Sequence, residues 1–313
     1  MKAIIVVTAF FALAVLLAPA PGAAPPSAAE LAFVRGEGNT SEIYLIREDG
    51  SGLRRLTSNR VPDYSPIWSP DGRRILFVSS RDGDDELYVM NADGTHLRQL
   101  THNRRQDLTP QWSPDGKRIA FASDRGRLGE PEIWIMRADG GGARRLVPTP
   151  NHPTWQDTQF SPTWSPDGKR LIFSMTAADS NPELYSVGAD GTGLRRLTRT
   201  RGSYETFGDD TMPDWSNDGG TVVFVSNREQ RSSDLWAMSP DGTRQRPLGR
   251  RPRTDDWNPR ISADGHRLAF TEMRIADGRR SVWTMTMNGS NARRITPGYE
   301  PDWRPTTEVE TSP

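Results

Sequence analysis

Trp68-Ser-Pro-Asp-Gly-Arg-Arg-Ile-Leu-Phe77, followed by Glu86-Leu-Tyr-Val-Met90, Asp93-Gly94 and Leu100, is one copy of a pattern that recurs down this chain. Three anchors track it. A Trp opens each unit at 68, 112, 164, 215 and 303, with Ile261 as the one substitute. A Phe follows at 33, 77, 121, 173, 224 and 270, then an aromatic at Tyr44, Tyr88, Trp134, Tyr185, Trp236 and Trp283. Leu56, Leu100, Leu146, Leu197, Leu248 and Ile295 close the units. Trp to Phe is always 9 residues and aromatic to Leu always 12, whereas the other two connections vary. A repeat of about 40–50 residues with four short strand signals is the mark of a β-propeller.

We label the four strands of a unit A (at Trp), B (at Phe), C (at the aromatic) and D (at Leu). The fixed A–B link carries Ser69-Pro70-Asp71-Gly72 and its counterparts, and the fixed C–D link carries Asp-Gly or Asn-Gly. Such pairs suit tight hairpins, because Gly takes a positive φ without steric cost. In an antiparallel meander these fixed turns fall on one face of the disc. The variable B–C and D–A loops fall on the other, and variable loops on a rigid frame are where function concentrates. The first unit lacks its own strand A, and Pro301-Asp302-Trp303 supplies one. The expectation is therefore an all-β fold: a six-bladed β-propeller of four-stranded antiparallel blades, its ring closed by pairing the N- and C-terminal strands in one blade.

Residues 1–29 read as a signal peptide: Lys2, an apolar run from Ala3 to Ala18, then small residues and prolines. Cleavage after Ala29 is expected, giving a periplasmic or secreted protein. The propeller would span 30–305, with 306–313 a disordered polar tail. The apolar run is short for a membrane span. The chain has no Cys, so no disulfides. Lys+Arg and Asp+Glu are 40 each, and such a balance argues against nucleic acid as a partner. Paired arginines in strand D recur blade by blade, so they would ring the disc and blunt its outer edges.

The run Trp-Ser-Pro-Asp-Gly-Lys/Arg-Arg-Ile-x-Phe followed by Tyr-x-Met-x-x-Asp-Gly resembles the repeats of the TolB-like propeller family, over about residues 31–303. That family carries an α/β domain ahead of its propeller, and no counterpart is legible in this sequence. The resemblance implies an envelope or secreted protein that binds a protein or peptide partner at the propeller mouth. Similar repeats also occur in prolyl-oligopeptidase-type peptidases and oligogalacturonate lyases, so fold alone does not set function.

No G-x-S-x-G, H-E-x-x-H or P-loop is present, and no catalytic residue is assigned. The candidate binding positions lie on the variable face. Five residues before each strand A anchor stand Asp63, Asp107, Gln159, Asp210, Asp256 and Gly298. Four carboxylates there would converge on the channel mouth to meet a ligand, or would cap backbone N–H groups where the loop enters the strand. The long D–A loops add His152, Trp155, Tyr204, Phe207, Arg253 and Trp257, a composition suited to interfaces. Asp82, Asp84 and Glu86 alternate in one B–C loop, and such oxygens can take Ca²⁺. The other blades lack that cluster and no EF-hand loop is present, so no cofactor is expected. The reading favoured is a non-catalytic, monomeric binding propeller. Its alternative is a carbohydrate lyase or hydrolase using mouth Asp, His and Arg.

Overall fold

The computed structural model describes residues 29–126, 129–147, 158–176, 181–200, 208–229, 232–249 and 251–305. The expected signal peptide and tail, together with His152, Trp155, Tyr204 and Phe207, lie outside the described residues. No helix among the described residues is long and apolar enough to cross a membrane.

Six four-stranded antiparallel sheets form. Blade 1 holds β1 (Glu30–Arg35), β2 (Glu42–Arg47), β3 (Arg54–Arg55) and, from the far end of the chain, β24 (Tyr299–Trp303). Blades 2 to 6 each take four consecutive strands, opening with β4 (Asp63–Trp68), β8 (Asp107–Trp112), β12 (Gln159–Trp164), β16 (Asp210–Trp215) and β20 (Thr254–Ile261). The ring therefore closes as expected: Leu31 pairs with Trp303 and Ala32 with Asp302. Arg304 adds a backbone bond to Glu30 and a salt bridge of 2.9 Å to its carboxylate.

The anchors make the core. All six Phe residues are fully buried, and each is the cross-strand partner of its blade's aromatic, as Phe77 is of Tyr88 and Phe224 of Trp236. Antiparallel pairs of this kind are the unit of sheet stabilisation. The Ser of each A–B turn works locally. Ser69 Oγ accepts from Arg74 N at 2.9 Å and donates to Asp71, whose carboxylate takes Arg73 N at 3.1 Å.

Blades join through backbone. The N–H five before each anchor donates to the carbonyl just before strand C of the preceding blade. Asp63 bonds Ser41, Asp107 bonds Asp85, Gln159 bonds Pro131, Asp210 bonds Pro182, Asp256 bonds Ser233 and Gly298 bonds Arg280, over 2.7–3.2 Å.

Strand D corrects one expectation. In blades 1 to 5 it is only two residues long, and its arginines do more than ring the disc. Arg54, Arg98, Arg144 and Arg195 each donate to a carbonyl in or beside the C–D turn of the next blade. The close approach of the blades also fixes the turn glycines. A Cβ on Gly140 would sit 2.4 Å from the Leu100 carbonyl oxygen, at a φ of +89°.

Candidate functional site

The four expected mouth carboxylates are not at the mouth surface. Asp63, Asp107 and Asp210 are 0 % exposed and Asp256 is 1 % exposed. Each meets an arginine. Arg81 donates to both oxygens of Asp63 at 3.0 Å, Arg125 pairs with Asp107, Arg228 with Asp210, and Arg251 with Asp256 at 2.7 Å. The same guanidinium lies over the blade's Phe and its partner aromatic: Arg81 over Phe77 and Tyr88, Arg125 over Phe121 and Trp134, Arg228 over Phe224 and Trp236, Arg251 over Phe270 and Trp283. Burial pushes the Asp210 carboxyl up, and that of Asp256 up to about 6, against the pull of their arginines. Carboxylates closed off from solvent in this way cannot meet a ligand at the mouth or exchange a proton with a sugar. Their place is the interior of the blade, where an unpaired charge would be costly.

The signal for this pairing was present in the sequence. Asp63, Asp107 and Asp210 each precede an Arg by 18 residues, whereas Gln159 precedes Ala177. Gln159 Oε1 instead accepts from Ile133 N at 3.0 Å. Blade 6 departs from the spacing, because Arg274 pairs with Asp277 and Arg251 of the D–A loop reaches Asp256 in its place. Blade 1 has Gly298 and Glu37 at the two positions. A hollow of about 360 Å³ opens there, between Glu37, Thr40, Arg280 and Tyr299.

Of the remaining candidates, Arg253 is exposed at a φ of +71°. Trp257 is half-buried and packs against the cluster of Val223, Leu235 and Phe270. It belongs to a ring that sequence reading passed over. Four residues before the anchors stand Tyr64, Leu108, Phe160, Thr211, Trp257 and Tyr299, all half-buried at the variable-loop end of strand A.

One step further along, a Pro two before every anchor marks a kink. The preceding residue takes positive φ in all six blades: Ser65, Thr109, Ser161, Met212, Asn258 and Glu300, at 47–52°. The ladder slips register at this point in blades 2 to 6. A bulge re-aims side chains, and a non-Gly residue in the left-handed region costs about 1–2 kcal/mol. These six residues and their prolines line a narrow hollow of about 50 Å³ on the propeller axis.

Toward the Asp-Gly face the channel widens to a chamber of about 270 Å³, walled by the anchors and by the residue before each. The wall is lopsided. Ile67, Gln111 and Thr163 are uncharged, whereas Asp214, Arg260 and Asp302 carry charge. Arg260 lies between the two carboxylates, 3.4 Å from Asp214 and 3.7 Å from Asp302. Each of those accepts a backbone N–H from the next blade at 2.8 Å, Asp214 from Ile261 and Asp302 from Trp68. Burial raises both carboxyls, Asp302 to about 7. Glu300, just above, accepts from Ser65 N at 2.7 Å. The chamber falls below the ~300–1,000 Å³ of small-molecule sites.

A barrel-like ring of TolB-type repeats with an open axial channel is thus the class of protein on the page. The chain belongs to the TolB beta propeller domain family, whose model matches residues 15–160 and 150–309. An uncharacterized protein of Agrobacterium fabrum is 30% identical over 182 residues, covering 55% of each chain. A protein TolB homolog of Chlorobium luteolum is 29% identical over 152 residues, covering 48% of this chain and 31% of its own. This chain thus spans about half or less of the length of these relatives. The crystal structure of TolB from Acinetobacter baumannii superposes with a TM-score of 0.75 over 89% of this chain and 67% of that one, at 22% identity, and shows the shared fold.

Proposed function

We propose that this protein is an exported, non-catalytic binding propeller that engages a protein or peptide partner in the cell envelope. The contact would run through its variable-face loops and channel mouth. The observation that carries this reading is the ring at the mouth end of strand A. Five of its six residues are large and aromatic or aliphatic (Tyr64, Leu108, Phe160, Trp257 and Tyr299), and all remain half-exposed on a frame that is otherwise uniform from blade to blade. Such residues anchor protein interfaces. Family membership supports the same class of role. The lyase or hydrolase alternative gains nothing from the described residues, because the carboxylates it would use are closed off in ion pairs.

The test is affinity capture from envelope extract with the purified protein, beside Tyr64→Ala/Trp257→Ala and an Arg253→Ala variant. A protein retained by the wild type and lost from the folded ring variant supports the reading and names the partner. The same proteins in every lane, or none in any, reject it.

A further inference from the structure

We propose that the B–C loop of blade 2 binds Ca²⁺ and that the ion ties this loop to strand A of blade 3. One carboxylate oxygen from each of Asp82, Asp84 and Glu86 lies within 4.8 Å of the other two. A cluster of acids alone would mean little, but two further observations converge on it.

The first is a set of buried oxygens with nothing to accept. Asp107 is fully buried, and its Oδ2 takes Asn103 Nδ2 at 2.9 Å and the Arg125 guanidinium, while its Oδ1 has no partner. The same Asn103 Nδ2 donates to Glu86 Oε2 at 3.1 Å, so Asp107 abuts the cluster across one shared amide. Asp84 Oδ2 and Asn103 Oδ1 are likewise buried and unpartnered. An ionised carboxylate oxygen and an amide carbonyl oxygen are acceptors only, and a cation satisfies several of them at once.

The second is a missing cation. Glu42, Glu132 and Glu183 open strand C in blades 1, 3 and 4, and each pairs with the strand D arginine 13 residues on: Arg55 at 2.6 Å, Arg145 at 3.1 Å, Arg196 at 2.8 Å. In blade 2 that position is Gln99, whose amide goes to Asp82. Glu86 has therefore lost the guanidinium of its counterparts, and the loop beside it has gained two acids. The donor set is oxygen only, with neither His nor Cys in it, and comes from a loop and a strand end. That combination suits a hard cation of flexible coordination, Ca²⁺ rather than Zn²⁺.

Calorimetry and thermal melting of the purified, EDTA-stripped protein with CaCl₂ test this. Saturable uptake of about one ion per chain and a raised melting temperature are expected, since an ion bound only by the folded state stabilises it. In Asp82→Asn/Asp84→Asn the affinity should fall by about tenfold or more, because ligand charge sets Ca²⁺ affinity. Asp139→Asn, in an exposed turn, should leave it unchanged. Gln99→Arg keeps every carboxylate but restores the guanidinium. It should weaken Ca²⁺ binding and raise the melting temperature of the metal-free protein. No saturable heat, or equal affinity in wild type, double variant and Gln99→Arg, overturns the proposal.

Discussion

Arg81 donates to both carboxylate oxygens of Asp63 at 3.0 Å while its guanidinium lies 4.7 Å from the centre of the Tyr88 ring. One side chain thereby ties the top of strand A to strands B and C of its own blade, and the Asp63 N–H ties that point to blade 1 through the Ser41 carbonyl. The arrangement recurs at Asp107, Asp210 and Asp256 with their own arginines and preceding blades, so it is part of the frame.

Removing one partner should therefore cost stability. Asp63→Ala leaves Arg81 facing a void, with 22% of its side chain still exposed to water. A loss of about 3 kcal/mol is expected, the lower end for a broken buried pair. Urea unfolding measures it, and an unchanged midpoint would mean that Arg81 finds equal company elsewhere.

The turn glycines give a steric test. Gly242→Ala would place a Cβ 2.4 Å from the Leu197 carbonyl oxygen at a φ of +87°. Blade 5 must then part from blade 4 or the turn must distort, at about 2 kcal/mol or more. Gly265→Ala, also at positive φ but with open space around its Cβ, is the control and should cost less than half as much.

Closure can be tested by deletion of 301–313. The variant loses Trp303, the Trp68–Asp302 bond and most of β24, leaving β1 as an open sheet edge. A melting temperature lower by ten degrees or more, or aggregation on heating, is expected, since burial of a Trp alone is worth about 3–5 kcal/mol. Hydrogen exchange at Leu31–Val34 should speed up with it, and unchanged protection there would refute closure through this blade.

The charged half of the channel predicts a pH dependence. Burial raises the Asp302 carboxyl to about 7, so the folded state holds its proton more tightly than the unfolded chain does. Folding then takes up a proton between pH ~4 and ~7, and this group's contribution is full below pH ~4 and lost as pH rises through about 7. Asp302→Asn should flatten that part of the stability profile, read by melting from pH 5 to 8. A slope identical to wild type would show that Asp302 titrates as an ordinary acid.

Much of the frame was legible because its determinants are local. Trp68, Phe77 and Tyr88 lie on short strands at fixed spacing, and Ser69 to Gly72 close a turn within five residues. Even the shared blade followed from counting strands. The fate of Asp63 was harder to read. An Asp at a strand entrance looks alike whether it faces a ligand or an arginine, and the deciding partner is 18 residues away on another strand. The strand D arginines misled for the same reason: what Arg54 does depends on the Ala92 carbonyl of a different blade. The kink was a missed signal, since Pro66, Pro110, Pro162, Pro213, Pro259 and Pro301 all stand two before an anchor.

That kink separates two kinds of inheritance. Backbone at Ser65, Thr109, Ser161, Met212, Asn258 and Glu300 is held in one conformation by the following proline and the slipped register, whatever side chain it carries. Six mutually different residues already occupy it. Substitution at these sites can redraw the channel wall, one blade at a time, without asking the rest of the ring to refold. A selection that drifts the specificity of this propeller would find its alphabet there, while the arginine-clasped carboxylates a step outward stay silent.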